Sequence, residues 1–131
     1  MSGRLLIWIC VVPLACARGP RASSFAPALK PSGAAVTIDS GQRTFDGELL
    51  AVSDTALVLL RGGMVAVARY GAIEDVILPQ FDATYAIRSA RPDTATLSKL
   101  RLRSRFPQGL TPELLARLLA AYHQDAVTVF P

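Results

Sequence analysis

Residues 36–78 read VTIDSGQRTFDGELLAVSDTALVLLRGGMVAVARYGAIEDVIL, and the fold turns on this stretch because only here do apolar residues and turn signals recur at strand spacing. Val36 and Ile38 alternate with polar neighbours and run into Ser40-Gly41. Phe45, Gly47, Leu49 and Ala51 then carry the same period of two. Ser53-Asp54 is the next break, where an Asp side chain can bond its own backbone. Residues 55–60 form a nearly unbroken apolar run, the pattern of a strand covered on both faces. Gly62-Gly63 reaches positive φ without steric cost and predicts a tight hairpin into residues 64–69. Ile73, Val76 and Leu78 complete the series before Pro79, which cannot donate to a ladder.

Five short strands joined by brief turns predict a small, strongly bent antiparallel β-barrel over 36–88, with Gly47 placed where a long second strand has to curl. The whole chain then reads as α+β, with the barrel followed by a C-terminal helical hairpin over 93–125. Where Phe81, Ala83, Tyr85 and Ile87 alternate with polar residues, one further strand or an extended arm lying on the barrel is expected.

The same residues resemble the Sm-like small barrels. In that family an apolar strand and a glycine precede an apolar-x-Gly-x-Leu segment that leads to an Asp turn. Here these are Val36-x-Ile38, Gly41, Phe45-x-Gly47-x-Leu49 and Asp54, so the resemblance spans 36–78. The Asp turn comes one residue later than in the family pattern, and no Asn follows it in 55–58, where the family keeps its base-contacting Asn. The second-motif Arg-Gly is represented by Arg69-Tyr70-Gly71, with one residue inserted. The resemblance therefore implies the fold, and nucleic-acid binding stands as the second functional reading.

Outward from the core, the N-terminus has the three-part layout of an export signal over 1–17. Arg4 gives a positive leader, residues 5–14 are apolar apart from Pro13, and small residues follow. That run is shorter than the roughly 20 residues a bilayer span needs. Ala15-Cys16-Ala17 fits a signal-peptidase site, whereas Leu14-Ala15-Cys16 fits the lipobox of bacterial lipoproteins, in which Cys16 becomes the lipidated N-terminus. An organellar transit peptide is the third reading, drawing on Arg4, Arg18, Arg21 and Lys30 with no acid before Asp39; the unbroken apolar run argues against it. Lipidation at Cys16 is preferred, with membrane lipid as the partner and the bacterial cell envelope as the location. Cys10 and Cys16 are the only cysteines, so the rest of the chain can form neither a disulfide nor a cysteine zinc site. Residues 18–35, rich in Pro, Ser, Ala and Gly, read as a flexible linker. Beyond the leader about 115 residues remain, enough for one domain with a modest core.

After the core, residues 99–106 alternate strictly and admit two readings. As a strand they would align Lys99, Arg101, Arg103 and Arg105 on one face. As a helix starting at the Asp93-Thr94 cap they would bury Leu97, Leu100 and Ser104, and the cap favours this second reading. Thr111, Pro112 and Glu113 announce a second helix, with Leu110 and Leu115 as a hydrophobic staple and a stripe of Leu114, Leu118, Leu119 and Tyr122. Residues 103–125 also resemble the C-terminal segment of uncharacterised bacterial envelope proteins with a small β core, which implies a class and no mechanism.

The formal charge is +4, unevenly spread: 36–82 hold seven acids against three bases, and 88–105 hold six bases against Asp93. The basic arm of Arg88, Arg91, Lys99, Arg101, Arg103 and Arg105 packs beside the acidic core, forms a phosphate-facing patch for nucleic acid or lipid, or docks to an acidic protein partner. Nucleic acid is disfavoured, because no aromatic is interleaved with these cations and export removes the chain from cytosolic RNA. A protein partner of unspecified kind and a homo-oligomer built through exposed sheet edges are the remaining expectations.

No catalytic constellation, metal set or cofactor motif is evident. His123 is the only histidine and sits at the end of a helix, where a cation is welcome. Gly62-Gly63 lacks the Lys-Ser/Thr ending of a phosphate loop, and Glu74-Asp75 and Asp46-x-Glu48 read as solvated acids. The chain is thus expected to be a non-enzymatic interaction or scaffolding protein, exported and lipid-anchored.

Overall fold

The computed structural model describes residues 32–130; the leader 1–17 with Cys16, and the linker as far as residue 31, lie outside them. The strands are β1 (Ala35–Asp39), β2 (Thr44–Val52), β3 (Ala56–Arg61), β4 (Met64–Arg69), β5 (Asp75–Leu78), β6 (Ala83–Ala86) and β7 (Thr128–Val129). Two helices, α1 (Thr94–Arg103) and α2 (Pro112–Ala121), lie between β6 and β7.

Local chemistry explains the turns. Gly41 takes φ +83° while its N–H donates to Asp39 Oδ1 at 2.7 Å. Gly62 and Gly63 both have positive φ, the geometry of the two-residue hairpin between β3 and β4. The β2–β3 turn is held by Ser53, whose Oγ accepts the Ala56 N–H at 3.0 Å, and Asp54 is left to face outward.

The strands form one sheet in the order β6-β5-β1-β2-β3-β4-β7, antiparallel except for the β4–β7 pair. This corrects the five-stranded barrel: the described residues form seven strands, and the sheet does not close. β5 returns beside β1 and continues into β6, whereas the free side of β4 takes β7, so the two ends of the sheet have different partners. Curvature comes from β2, nine residues long, where the register with β3 shifts between Leu49 and Ala51. Such a bulge places an extra residue in one strand and bends it.

The bulge also sorts the core. Leu49 and Val52 join Val36, Ile38, Leu57, Leu59, Tyr70, Val76 and Leu78 in a cluster on one face, and Leu97 and Leu100 of α1 pack into it. Leu50 and Ala51 turn the other way to meet Val65 and Phe106, and this cluster is covered by Leu114, Leu115, Leu118 and Tyr122. Each helix therefore serves a different face of the sheet. The expected helical hairpin is corrected on this point, since the two apolar stripes are buried against strands. The predicted caps are present: Asp93 Oδ1 accepts the Thr96 N–H at 2.8 Å, and Thr111 Oγ1 accepts the Leu114 N–H at 3.2 Å. Leu97, Leu100 and Ser104 are buried, as the helical reading of 94–105 requires.

Candidate functional site

The junction between the helices begins at an edge of β2. β1 starts at Ala35, opposite Glu48, so the part of β2 beyond Glu48 has no strand on that side. Gly33, Ala34 and the residues after α1 occupy the vacancy. Ala34 N–H donates to Arg103 O at 2.8 Å and Leu49 N–H to Ala34 O at 2.9 Å. Arg105 and Phe106 N–H donate to Leu49 O and Leu50 O at 2.9 and 2.8 Å. Gly33 is required here, because a Cβ would stand 1.9 Å from Leu49 O. Its N–H donates to Glu48 Oε1 at 2.7 Å. The folded part thus begins earlier than composition placed it, fastened at the bulge beside the end of α1.

Arg101, Arg103 and Arg105 of the basic arm border this junction, and much of the arm's charge is met by the chain itself. Arg101 Nη2 lies 3.1 Å from Asp54 Oδ1, Arg105 Nη1 lies 3.9 Å from Glu48 Oε1, and Arg88 Nη2 lies 3.5 Å from Asp75 Oδ2. Each pair joins a residue of the basic stretch to an acid of the sheet or its turns. Partly exposed pairs of this kind contribute about 0–1 kcal/mol each, so their weight is in orientation more than in stability. The guanidinium of Arg103 lies over the Phe81 ring, 3.8 Å from its centroid. Arg91 and Lys99 are exposed. The six cations therefore do not form one patch: three are paired with acids, one rests on a ring, and two face solvent. The single-face strand of Lys99, Arg101, Arg103 and Arg105 is replaced by a helix that spreads the first three, with Arg105 beyond its end on the edge of β2.

Other charged and polar groups have structural work. Asp46 Oδ1 accepts from Thr37 Oγ1 at 2.6 Å. His123 follows α2 with φ +54°, its N–H on Ala120 O. Gln124 pairs its side-chain amide with both the N–H and the C=O of Val65 at 2.8 Å, extending the edge of β4 ahead of β7. Tyr70 is buried, donates its hydroxyl to Ser53 O, and has its pKa pushed up to about 12 by burial. Asp93 is held below the usual carboxylate range by the Thr96 N–H and hydroxyl that it accepts. Among the described residues no group of three or more His, Cys, Asp and Glu is placed to hold a metal, and no helix is long and apolar enough to cross a membrane.

No family model, curated protein or solved structure matches this chain.

Two surface features escape sequence reasoning. Phe45 and Phe130 stack with centroids 4.8 Å apart beneath Arg61, whose guanidinium is 5.1 and 5.6 Å from the two rings. Nothing local in the sequence pairs residue 45 with residue 130. The other is the Phe81–Arg103 contact. Phe81 is 42% exposed and Leu102, next to Arg103, is 68% exposed. Alternation assigns Phe81 to a strand. It lies instead in the 3-10 turn Pro79–Phe81, ahead of β6.

Proposed function

We propose that this chain is an exported protein of the bacterial cell envelope, anchored by lipid at Cys16 and acting as a non-enzymatic interaction or scaffolding module. One structural observation carries the reading. The described fold is fastened at Gly33 and Ala34, well beyond an apolar run that ends in Leu14-Ala15-Cys16. The segment 17–32 can extend no more than about 55 Å, long enough to hold the sheet near a bilayer and too short to let it leave.

The Sm-like reading, with nucleic acid on the basic arm, is less well supported. Arg88, Arg101 and Arg105 are engaged by Asp75, Asp54 and Glu48, and a phosphate would have to displace those carboxylates. Binding of RNA that falls steeply with salt and depends on Arg101, Arg103 and Arg105 would restore it.

The anchor is tested by growing cells on a radioactive fatty acid. Label is expected in the protein and lost in Cys16→Ser. Label that survives the substitution, or a wild-type chain that carries none, overturns the anchor.

A further inference from the structure

Resting on the anchored reading, we infer that the outer surface of α1, together with the turn after β5, is a membrane-seating face that takes anionic phospholipid headgroups. On α1 Lys99 has Leu102 three residues on and Arg103 four residues on as its surface neighbours, and Leu102 lies on the side away from the buried Leu97 and Leu100. Phe81 joins this surface through the Arg103 guanidinium over its ring. Among the described residues, neither Lys99 nor Arg103 has a carboxylate within ion-pair distance, in contrast to Arg88, Arg101 and Arg105. Asp82, the acid next to Phe81 in sequence, leaves two cations against one anion. Exposed aromatic and aliphatic side chains among such cations are the composition of surfaces that sit at the headgroup boundary.

Geometry favours a bilayer as the occupant. The chain leading back to Cys16 leaves the described fold at Gly33, and Ala34 is bonded to the carbonyl of Arg103 itself. A tether that departs beside Arg103 brings this end of α1 to the membrane in preference to the distant edge at β7. The anchor supplies proximity, and the face supplies orientation: Lys99 and Arg103 on phosphates, with the Phe81 ring at the acyl boundary. The sheet and α2 would then project away from the lipid.

Trp8 in the leader is the only tryptophan, so Phe81→Trp gives the processed protein a single reporter. The exported variant would be purified from membranes and reconstituted on vesicles containing a brominated lipid, either with 30% phosphatidylglycerol or with phosphatidylcholine alone. The introduced indole is expected to be quenched and blue-shifted on the anionic vesicles only. Lys99→Gln and Arg103→Gln, each added to Phe81→Trp, should weaken the quenched state about fivefold, and together about 25-fold, while the protein stays attached through its lipid. Lys99 is exposed on α1, so the effect of Lys99→Gln stands even where Arg103→Gln perturbs packing. A chain lacking lipid whose indole is still quenched on anionic vesicles separates the two ideas: the anchor fails and the face stands. An indole that is unquenched on anionic vesicles overturns the face. So does equal quenching on both vesicle types, or a fluorescence response to single-stranded RNA with none to vesicles.

Discussion

Gly33→Ala is the sharpest test of the junction. The added Cβ would lie 1.9 Å from Leu49 O and 2.9 Å from Arg105 N, both backbone atoms that no rotamer change can move. The chain has two responses. Shifting β2 at the bulge disturbs both core clusters, at an overpacking cost of about 1–3 kcal/mol or more. Lifting 32–34 off the edge forfeits Gly33 N–H to Glu48, Ala34 N–H to Arg103 O and Leu49 N–H to Ala34 O, at about 1 kcal/mol each. The second route sums to about 3 kcal/mol, at the upper part of the range for the first, and for a domain of this size a loss of about 3 kcal/mol lowers the Tm by on the order of 15 °C. Gly71→Ala is the control, because its Cβ would meet only the Ala90 Cβ at 3.8 Å, an ordinary contact. Thermal unfolding of the two variants beside the parent makes the comparison, and hydrogen exchange should show the Leu49 amide exchanging faster in Gly33→Ala than in the parent. A Gly33→Ala protein within about 0.5 kcal/mol of the parent, the range of neutral surface changes, would refute the account of the junction.

The two core clusters make separate predictions. Leu100→Ala, fully buried beneath α1, should cost about 2–5 kcal/mol, and Leu115→Ala, half-buried under α2, should cost less; urea unfolding reporting the reverse order would mean that α2 carries the main core. Tyr70 has its folded pKa raised by burial to about 12 from 10.0, so the stability it contributes is intact below pH 10 and declines as pH rises through about 12. An absorbance titration near 295 nm should show one late tyrosinate step that Tyr70→Phe removes, and its persistence in that variant would contradict the assignment.

Much of this architecture is legible because it is local. The hairpin glycines, the Asp93 and Thr111 caps, and the alternation through 36–78 act within a few residues of one another, and each is found in place. At the β2–β3 turn Ser53 takes the role expected of Asp54, since either side chain can bond the backbone ahead of it and composition does not choose between them. At the candidate surface the cations are visible in the sequence and their partners are not. Arg101 and Asp54 are separated by 47 residues, and only the docking of α1 on the sheet brings them together.

By itself, then, the sequence determined the strands β1 to β5, the second helix and the caps that start both helices, because periodicity and capping are short-range physics. For 99–106 alternation points to a strand, and only the Asp93 cap favours the helix that is found. Tertiary structure decided that the sheet stays open, that β7 completes it in parallel with β4, and that each helix covers a different face. It also decided that Gly33 and Arg105 share the edge of β2. Those outcomes depend on which unpaired backbone edge finds a partner far along the chain. The bulge between Leu49 and Ala51 adds its own long-range consequence, placing the neighbours Leu50 and Ala51 in the same core cluster while Leu49 and Val52 join the other.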